Sequence, residues 1–390
     1  MRSARNSRFI LFFLFVCLML AGCWDRREMD EIALVMASGT DMTDDGQVEL
    51  TLQIALPIGM PGMLQSSGKG KNPFMTVSEK GANVHELIGQ LQERLSRKIF
   101  FGHRAVVIIG ESFARHGIDQ VLDSLLRFPE SRYNSYILTT HGVSAKELLQ
   151  APYQMEVIPA IGMKTLQTGG YGTAVKIDEF LDAVSTHEIQ PFTGAIRSSM
   201  KEGETGFQID QTAVYRNNKL VGYLSGEHLK AFKMMDGQAR GQKLTVRLEP
   251  EKPFTKGTLT VEFLHFQKKI RTFTDQGRLR TEVAVHAAVR AVSNDTTLDL
   301  SKPPDHDRAE RVLLRELNDQ IVGLIAQTQK DFKSDVIGFA RELHVQHPEA
   351  WKKLKKGAWL QAYPQMDVRV NTDLNLERIG RTNKSGHLLE

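Results

Sequence analysis

Apolar residues recur in this chain with more than one period, and the changes of period mark out its elements. Ile32 to Ser38 (IALVMAS) and Val48 to Leu56 (VELTLQIAL) are runs of β-forming residues on either side of Asp41-Met42-Thr43-Asp44-Asp45-Gly46, a pattern that predicts a hairpin. The acidic connection lacks calcium-loop spacing, which needs Asp at alternate positions before its Gly and a Glu well beyond. Gly59 to Pro73 is rich in Gly, Ser and Lys and reads as a long loop. From Asn83, a residue suited to capping, Val84, Leu87, Ile88, Leu91 and Leu95 form one stripe of an amphipathic helix. Strand Ala105 to Ile109, helix Gly117 to Arg127, strand Tyr136 to Thr140 and helix Ser144 to Leu149 then alternate, which calls for right-handed crossovers and some parallel pairing. Lys176 to Thr186 places Ile177, Phe180, Leu181 and Val184 on one helical face, and Gln190-Pro191 stops it.

Beyond that stop the pattern is short and β-rich. Pro191 to Ala195, strand Gln211 to Arg216, an Asn217-Asn218 turn, strand Lys219 to Leu224 and a short helix from Ser225 follow one another, with a polar turn at 202–205. Asn tolerates left-handed turn positions, so 211–224 reads as a hairpin. From Lys243 the alternation lengthens, over Lys243 to Leu248, Gly257 to Phe273 and Leu279 to Val292, as in strands with one face on a core and the other in water. A helix opening near Asp305 carries Ala309, Val312, Leu313, Leu317, Ile321, Leu324 and Ile325 in a broad stripe. Further helices are predicted from about Ser334 and from Pro348, and Met366 to Leu376 is a last alternating strand. The fold class expected is α+β in three domains: a mixed α/β domain over 23–187, a small β-rich domain over 188–240, and a domain over 241–383 built of an antiparallel sheet with packed helices. Residues 1–22 form a leader and 384–390 a tail.

The leader changes the picture. Arg2, Arg5 and Arg8 precede an unbroken apolar run from Phe9 to Leu20, closed by the small residues of Leu20-Ala21-Gly22, which is the anatomy of an export signal. The run falls well short of the roughly 20 residues that span a hydrocarbon core. Leu20-Ala21-Gly22-Cys23 resembles the lipobox of bacterial lipoproteins, so Cys23 is expected to carry a diacylglycerol and to become the mature N-terminus. The chain has 2 cysteines. Cys17 is discarded with the signal and Cys23 bears lipid, which leaves no thiol for a disulfide, a redox pair or a zinc site. The formal charge of +4 includes the three leader arginines, so the exported body is close to neutral and has no global attraction for nucleic acid.

Candidate chemistry is sparse. His85, His103 and His116 do not share a helix face at ligand spacing; His344 and His347 are three apart without an evident third ligand, and all five read as structural or solvent-facing. Glu28 and Asp30 belong to the charged leader, and Glu310 and Glu316 to exposed helix faces. Gly110-Glu111-Ser112-Phe113 lacks the closing Gly of a nucleophile elbow, and Gly169-Gly170-Tyr171-Gly172 lacks the spacing of a dinucleotide loop. Lysines 352, 353, 355 and 356 lie between Trp351 and Trp359; they could meet anionic head groups, although tryptophans packed inward from a solvated helix end is the favoured reading. No catalytic residue, metal site or cofactor is assigned.

Cys23-Trp24-Asp25-Arg26-Arg27-Glu28-Met29 resembles the leader of the Ger(x)C lipoproteins, the C subunits of nutrient germinant receptors in spore-forming bacteria. Pro191-Phe192-Thr193-Gly194 and Lys219 to Leu224 are similar to the family's middle segment; Ser334 to Phe339, Pro348, Trp351, Trp359, Tyr363-Pro364 and Val368 to Gly380 follow its C-terminal order. Ile337 and Ala340 depart from it, standing where a bulkier aromatic and a Gly are common. The resemblance implies a three-domain, lipid-anchored, non-catalytic subunit on the outer face of the inner spore membrane. Its partners would be a membrane A subunit and a permease-like B subunit, with no nucleic acid and no direct nutrient binding. Pro191 to Gly194 and Ser334 to Phe339 are then expected to be corners between domains. The alternative is a lipid-anchored solute-binding protein that delivers a nutrient to a permease; such proteins have two similar lobes, whereas this pattern is α/β early and antiparallel late.

Overall fold

The computed structural model describes residues 31–56, 73–128, 131–170, 172–186, 188–199, 206–248, 257–275, 278–353 and 357–378. The leader with Cys23, most of the Gly59 to Pro73 loop, the 202–205 turn and lysines 355 and 356 lie outside these residues.

The first hairpin forms as expected: β1 (Ile32–Met42) pairs antiparallel with β2 (Val48–Ala55). Its acidic residues build the turn, where Thr43 Oγ1 donates to Asp45 and backbone bonds close Thr43 on Gln47. An unforeseen strand, β3 (Phe74–Gly81), adds to β2. Its residues are mostly half-buried, so the contrast that makes a strand legible is weak there. Asn83 caps α1 (Val84–Glu93) by accepting from Glu86 N at 2.9 Å. Then come β4 (Lys98–Phe100), β5 (Val106–Ile109), α2 (Glu111–His116) and α3 (Asp119–Arg127). The single helix expected from Gly117 is therefore preceded by a second, and α3 starts two residues later than expected. After β6 (Tyr136–Thr140), a reciprocal Ser144/Glu147 cap opens α4 (Ala145–Gln150); α5 (Pro159–Thr168), also unforeseen, and α6 (Ile177–Thr186) follow.

The segment after residue 188 supplies β7 (Phe192–Ser198), β8 (Phe207–Arg216) and β9 (Lys219–Leu224). These strands extend the first sheet, whose order is β3-β2-β1-β5-β6-β7-β8-β9 with β4 beside β1. Strands β1, β5, β6 and β7 run parallel, as the alternation required. The run Val106-Val107-Ile108-Ile109 is continuous because both faces are covered: Val106 and Ile108 pack under α4 and α5, Val107 and Ile109 under α1, α3 and α6. Each such side chain contributes about 1.5–3 kcal/mol by burial.

The second sheet has the order β10-β11-β12-β13, from β10 (Lys243–Leu248), β11 (Gly257–Asp275), β12 (Arg278–Asn294) and β13 (Asp367–Arg378). The expected antiparallel pairing holds for β10, β11 and β12, and β13 adds parallel to β12. A parallel neighbour needs a long crossover, here the helical stretch between β12 and β13. That stretch begins with α8 (Pro303–Ala326) and a π-helical turn over Gln327–Phe332. It continues through α9 (Phe339–Gln346), α10 (Pro348–Lys353) and α11 (Ala358–Ala362). The helix expected from Ser334 starts only at Phe339, because Asp335 is used otherwise. Between the sheets, α7 (Gly226–Met235) leaves β9 and buries Phe232, Met234 and Met235 in the second core.

At Gly222 in β9 a Cβ would overlap the ring of Phe332, which lies on the bare backbone from the far side of the junction. Gly222→Ala should therefore destabilise the protein by about 1–3 kcal/mol through overpacking, read as a lowered melting temperature in thermal unfolding followed by circular dichroism.

Candidate functional site at the junction of the sheets

Sequence reasoning singled out Pro191 to Gly194 and Ser334 to Phe339 as separate stretches, and the fold brings them together, with Gln190 beside the first. Gln190 N donates to Asp335 O at 2.9 Å, Ser334 Oγ donates to Tyr215 O at 2.5 Å, and Asn217 N donates to Gln190 Oε1 at 2.7 Å. Pro191 cannot donate, but its carbonyl accepts from Tyr215 N at 3.0 Å. Behind it, the hydroxyls of Thr193, Thr139 and Tyr215 form a buried chain with contacts of 2.7 and 2.6 Å, and burial raises the Tyr215 phenol above its ordinary range. Gly194 is required to be small, since a Cβ there would meet Thr173 O and the Leu138 side chain.

Asp335 is the centre of the other stretch, 1% exposed. One carboxylate oxygen accepts from Gly338 N at 2.9 Å and Phe339 N at 3.1 Å, and the other from Ala340 N at 2.8 Å and Trp359 Nε1 at 3.0 Å. Burial pushes this carboxyl up from its ordinary value, against the pull of its four N–H donors. Phe339 packs on Tyr363 at 5.9 Å between ring centres, and Tyr363 packs on Trp359 at 6.1 Å. The Tyr363 hydroxyl pairs with Thr328 at 2.7 Å, which ties the π-helical turn into the same cluster. Ile337 and Ala340 are buried here, where a larger and a smaller residue were expected from the family pattern.

The remaining sequence candidates are absorbed by structure. Trp359 is buried and Trp351 half-buried against the second core, as the inward reading requires, and Lys352 pairs with Glu349 at 2.9 Å. His344 stacks on Trp351 and its Nδ1 lies 2.6 Å from Glu188 Oε1; His347 Nε2 lies 2.6 Å from Thr272 O. The partnership with Glu188 joins α9 to the segment before β7, and nothing local in the sequence announces it. His85 stacks on Phe128 and His103 lies beside Phe100, while His116 is exposed. Glu310 is not simply exposed: it accepts from Leu376 N at 2.7 Å while His306 Nε2 lies 3.1 Å from Leu376 O, clamping α8 to β13. Glu316 accepts from Gln320. His306, Asp307 and Glu310 form a compact trio, with two of its members engaged on that strand.

A second polar group gathers at the carboxyl ends of the parallel strands. Asp41 accepts from Ala145 N at 2.9 Å and Lys146 N at 3.0 Å, and burial raises its carboxyl despite them. Ser112 donates to Met42 O at 3.0 Å, so the residue in the elbow-like stretch holds α2 to β1. His141 stacks on Tyr223 at 4.0 Å, and Tyr223 donates to Thr140 O at 2.6 Å. These side chains fix helices and strand ends to one another.

Removing half of the Asp335 network should be costly. In Asp335→Asn an amide N–H faces the Ala340 and Trp359 donors, which predicts a loss of about 2–3 kcal/mol. Phe339→Ala should cost about 3–5 kcal/mol as a buried aromatic truncation. Both are read as melting temperatures of the purified chain, and an unchanged value for either variant would overturn the role given to this network.

Residues 25–198 match the spore germination protein N-terminal domain, and residues 210–380 match the C-terminal domain described as spore germination B3/GerAC like. Spore germination protein KC of Bacillus subtilis is 27% identical over 97% of this chain and 97% of its own length. Spore germination protein B3 of the same organism is 24% identical over 97% of this chain and 99% of its own. The crystal structure of the GerBC protein superposes with a TM-score of 0.55 at 20% identity, covering 87% of this chain and 96% of that one, a likeness of fold. With both domain models matched in order and the relatives aligned nearly end to end, the chain belongs to the Ger(x)C family of spore germination proteins.

Proposed function

We propose that this chain is a lipid-anchored, non-catalytic subunit of a spore germinant receptor, held on the outer face of the inner spore membrane by a diacylglycerol on Cys23 and working with membrane A and B subunits in nutrient-triggered germination. The observation that carries this reading is the pairing of Leu20-Ala21-Gly22-Cys23 with an end-to-end match to spore germination proteins. Among the described residues no helix is long and apolar enough to cross a membrane. The polar side chains weighed as catalytic or metal-ligating mostly hold elements together, which agrees with a partner role. Residues 23–187, 188–240 and 241–383 act in this reading as an N-terminal body, a bridging segment and a C-terminal body.

The test is co-purification from sporulating cells, with spore membranes solubilised gently and the A and B subunits followed alongside wild-type and Cys23→Ala chains. Wild type should bring both partners down, and Cys23→Ala should be lost from the membrane fraction. Wild type that purifies alone and binds nutrient directly would replace this reading with a solute-binding role.

A further inference from the structure

Strand β1 enters the fold at Ile32, fewer than ten residues after Cys23. An extended chain advances at most about 3.6 Å per residue, so Ile32 stays within about 30 Å of a lipid on Cys23. The connections that start the neighbouring strands crowd around this entry point. Lys98 N donates to Glu31 O at 2.9 Å, Ala105 N to Met36 O at 2.8 Å, and Tyr136 N to Ala105 O at 3.0 Å. Arg104, whose guanidinium burial lowers to about 10, reaches Ser131 Oγ at 3.3 Å, and Ser135 Oγ donates to Arg104 O at 2.5 Å.

This edge exposes cations and apolar groups together. Lys98 and Arg132 are exposed and Arg97 is half-buried. Arg94 and Arg127 are engaged by Glu79 and Asp123, whereas these three make no ion pair among the described residues. Tyr133 is 41% and Leu126 59% exposed, Phe128, two residues beyond Leu126, packs on Phe101 at 5.5 Å, and the exposed acids Glu31 and Asp178 meet Lys98 and Tyr133 through backbone bonds. The opposite end of β1 carries Asp44 and Asp45, exposed in its turn, with one cation, Lys80, close enough to act on Asp45. At about 3.3 Å per residue, β1 separates the two ends by roughly 35 Å.

We propose that the edge formed by Arg97, Lys98, Arg132, Tyr133 and Leu126 is a lipid-facing surface. It seats on anionic phospholipid head groups of the membrane that holds the Cys23 lipid and sets the Thr43–Gln47 turn away from the bilayer. The proposal rests on the reading of Cys23 as the lipid-bearing residue. Basic side chains are drawn to an anionic surface, and an aromatic with a polar tip suits the head-group layer. The acidic turn is repelled by the same surface, so both ends favour one orientation.

The chain is well suited to a direct test, since Cys17 falls in the leader and Cys23 carries lipid, so an introduced cysteine is the one labelled thiol. Full-length lipidated protein with a fluorophore at Asn134→Cys or at Asp44→Cys is bound to phosphatidylcholine vesicles with or without phosphatidylglycerol, and quenching by nitroxide-headed lipid is measured. Strong quenching at position 134 and little at 44 is expected in the anionic vesicles. Each of Arg97→Glu, Lys98→Glu and Arg132→Glu should weaken docking at least about fivefold, and flotation with the vesicles should persist. Equal quenching at both positions, or quenching indifferent to the charge reversals, with flotation intact, overturns the orientation and leaves the anchor standing. A chain that neither floats nor is quenched removes the anchor and the docked surface together.

Discussion

A carboxylate at 1% exposure is costly to bury, and Asp335 is held there by four N–H donors from two stretches of the chain, Gly338 to Ala340 and Trp359. Those bonds decide the path of the whole C-terminal crossover. Three of them cap α9 and so delay its start to Phe339, and the fourth pins Trp359, which brings Tyr363 and the π-helical turn into register. The backbone carbonyl of the same residue accepts from Gln190 and so fastens the second core to the edge of the first sheet. A single acidic side chain thus sets one helix start, one aromatic cluster and one contact between sheets.

The segment 188–240 is what makes that contact permanent. Its three strands pair into the first sheet, while its helix α7 buries Phe232, Met234 and Met235 in the core of the second. The two sheets therefore share a covalent bridge whose halves are each committed to a different core. Gly222 adds a further lock, because Phe332 lies where a side chain at that position would stand. A joint of this kind resists independent motion of the two halves, since either can move only by withdrawing apolar surface from a core.

Elements with strong contrast were legible in the sequence. The VVII run of β5, the stripe of α8 and the alternation of β11 and β12 carry their partners' geometry in their own pattern. Strand β3 was not legible, because its half-buried residues show no contrast, and neither was α5, whose Pro159 start follows no strong cap. At the junction, Ser334 to Phe339 and Pro191 to Gly194 stood out, yet Ser334-Asp335 read as a helix start when Asp335 in fact gathers N–H groups from beyond it. Contacts such as Glu188 with His344 span 156 positions and leave no local trace. The parallel addition of β13 was hidden for a related reason: alternation fixes which side chains face a core, and it is silent on strand direction.

Attachment and orientation are separate demands on a protein at a membrane, and in the proposed reading this chain meets them with separate parts. On that reading, two acyl chains on Cys23 would hold where a single chain is marginal, so the surface of the fold would not need to supply affinity. It need only discriminate between orientations, and once the tether confines the body within about 30 Å of the bilayer, a handful of charges suffices because the encounter is intramolecular. In that reading a body close to neutral overall is oriented by side chains at the two ends of β1, Lys98 and Arg132 at the entry end and Asp44 and Asp45 at the other. These charges cost the fold little, since all four side chains are exposed.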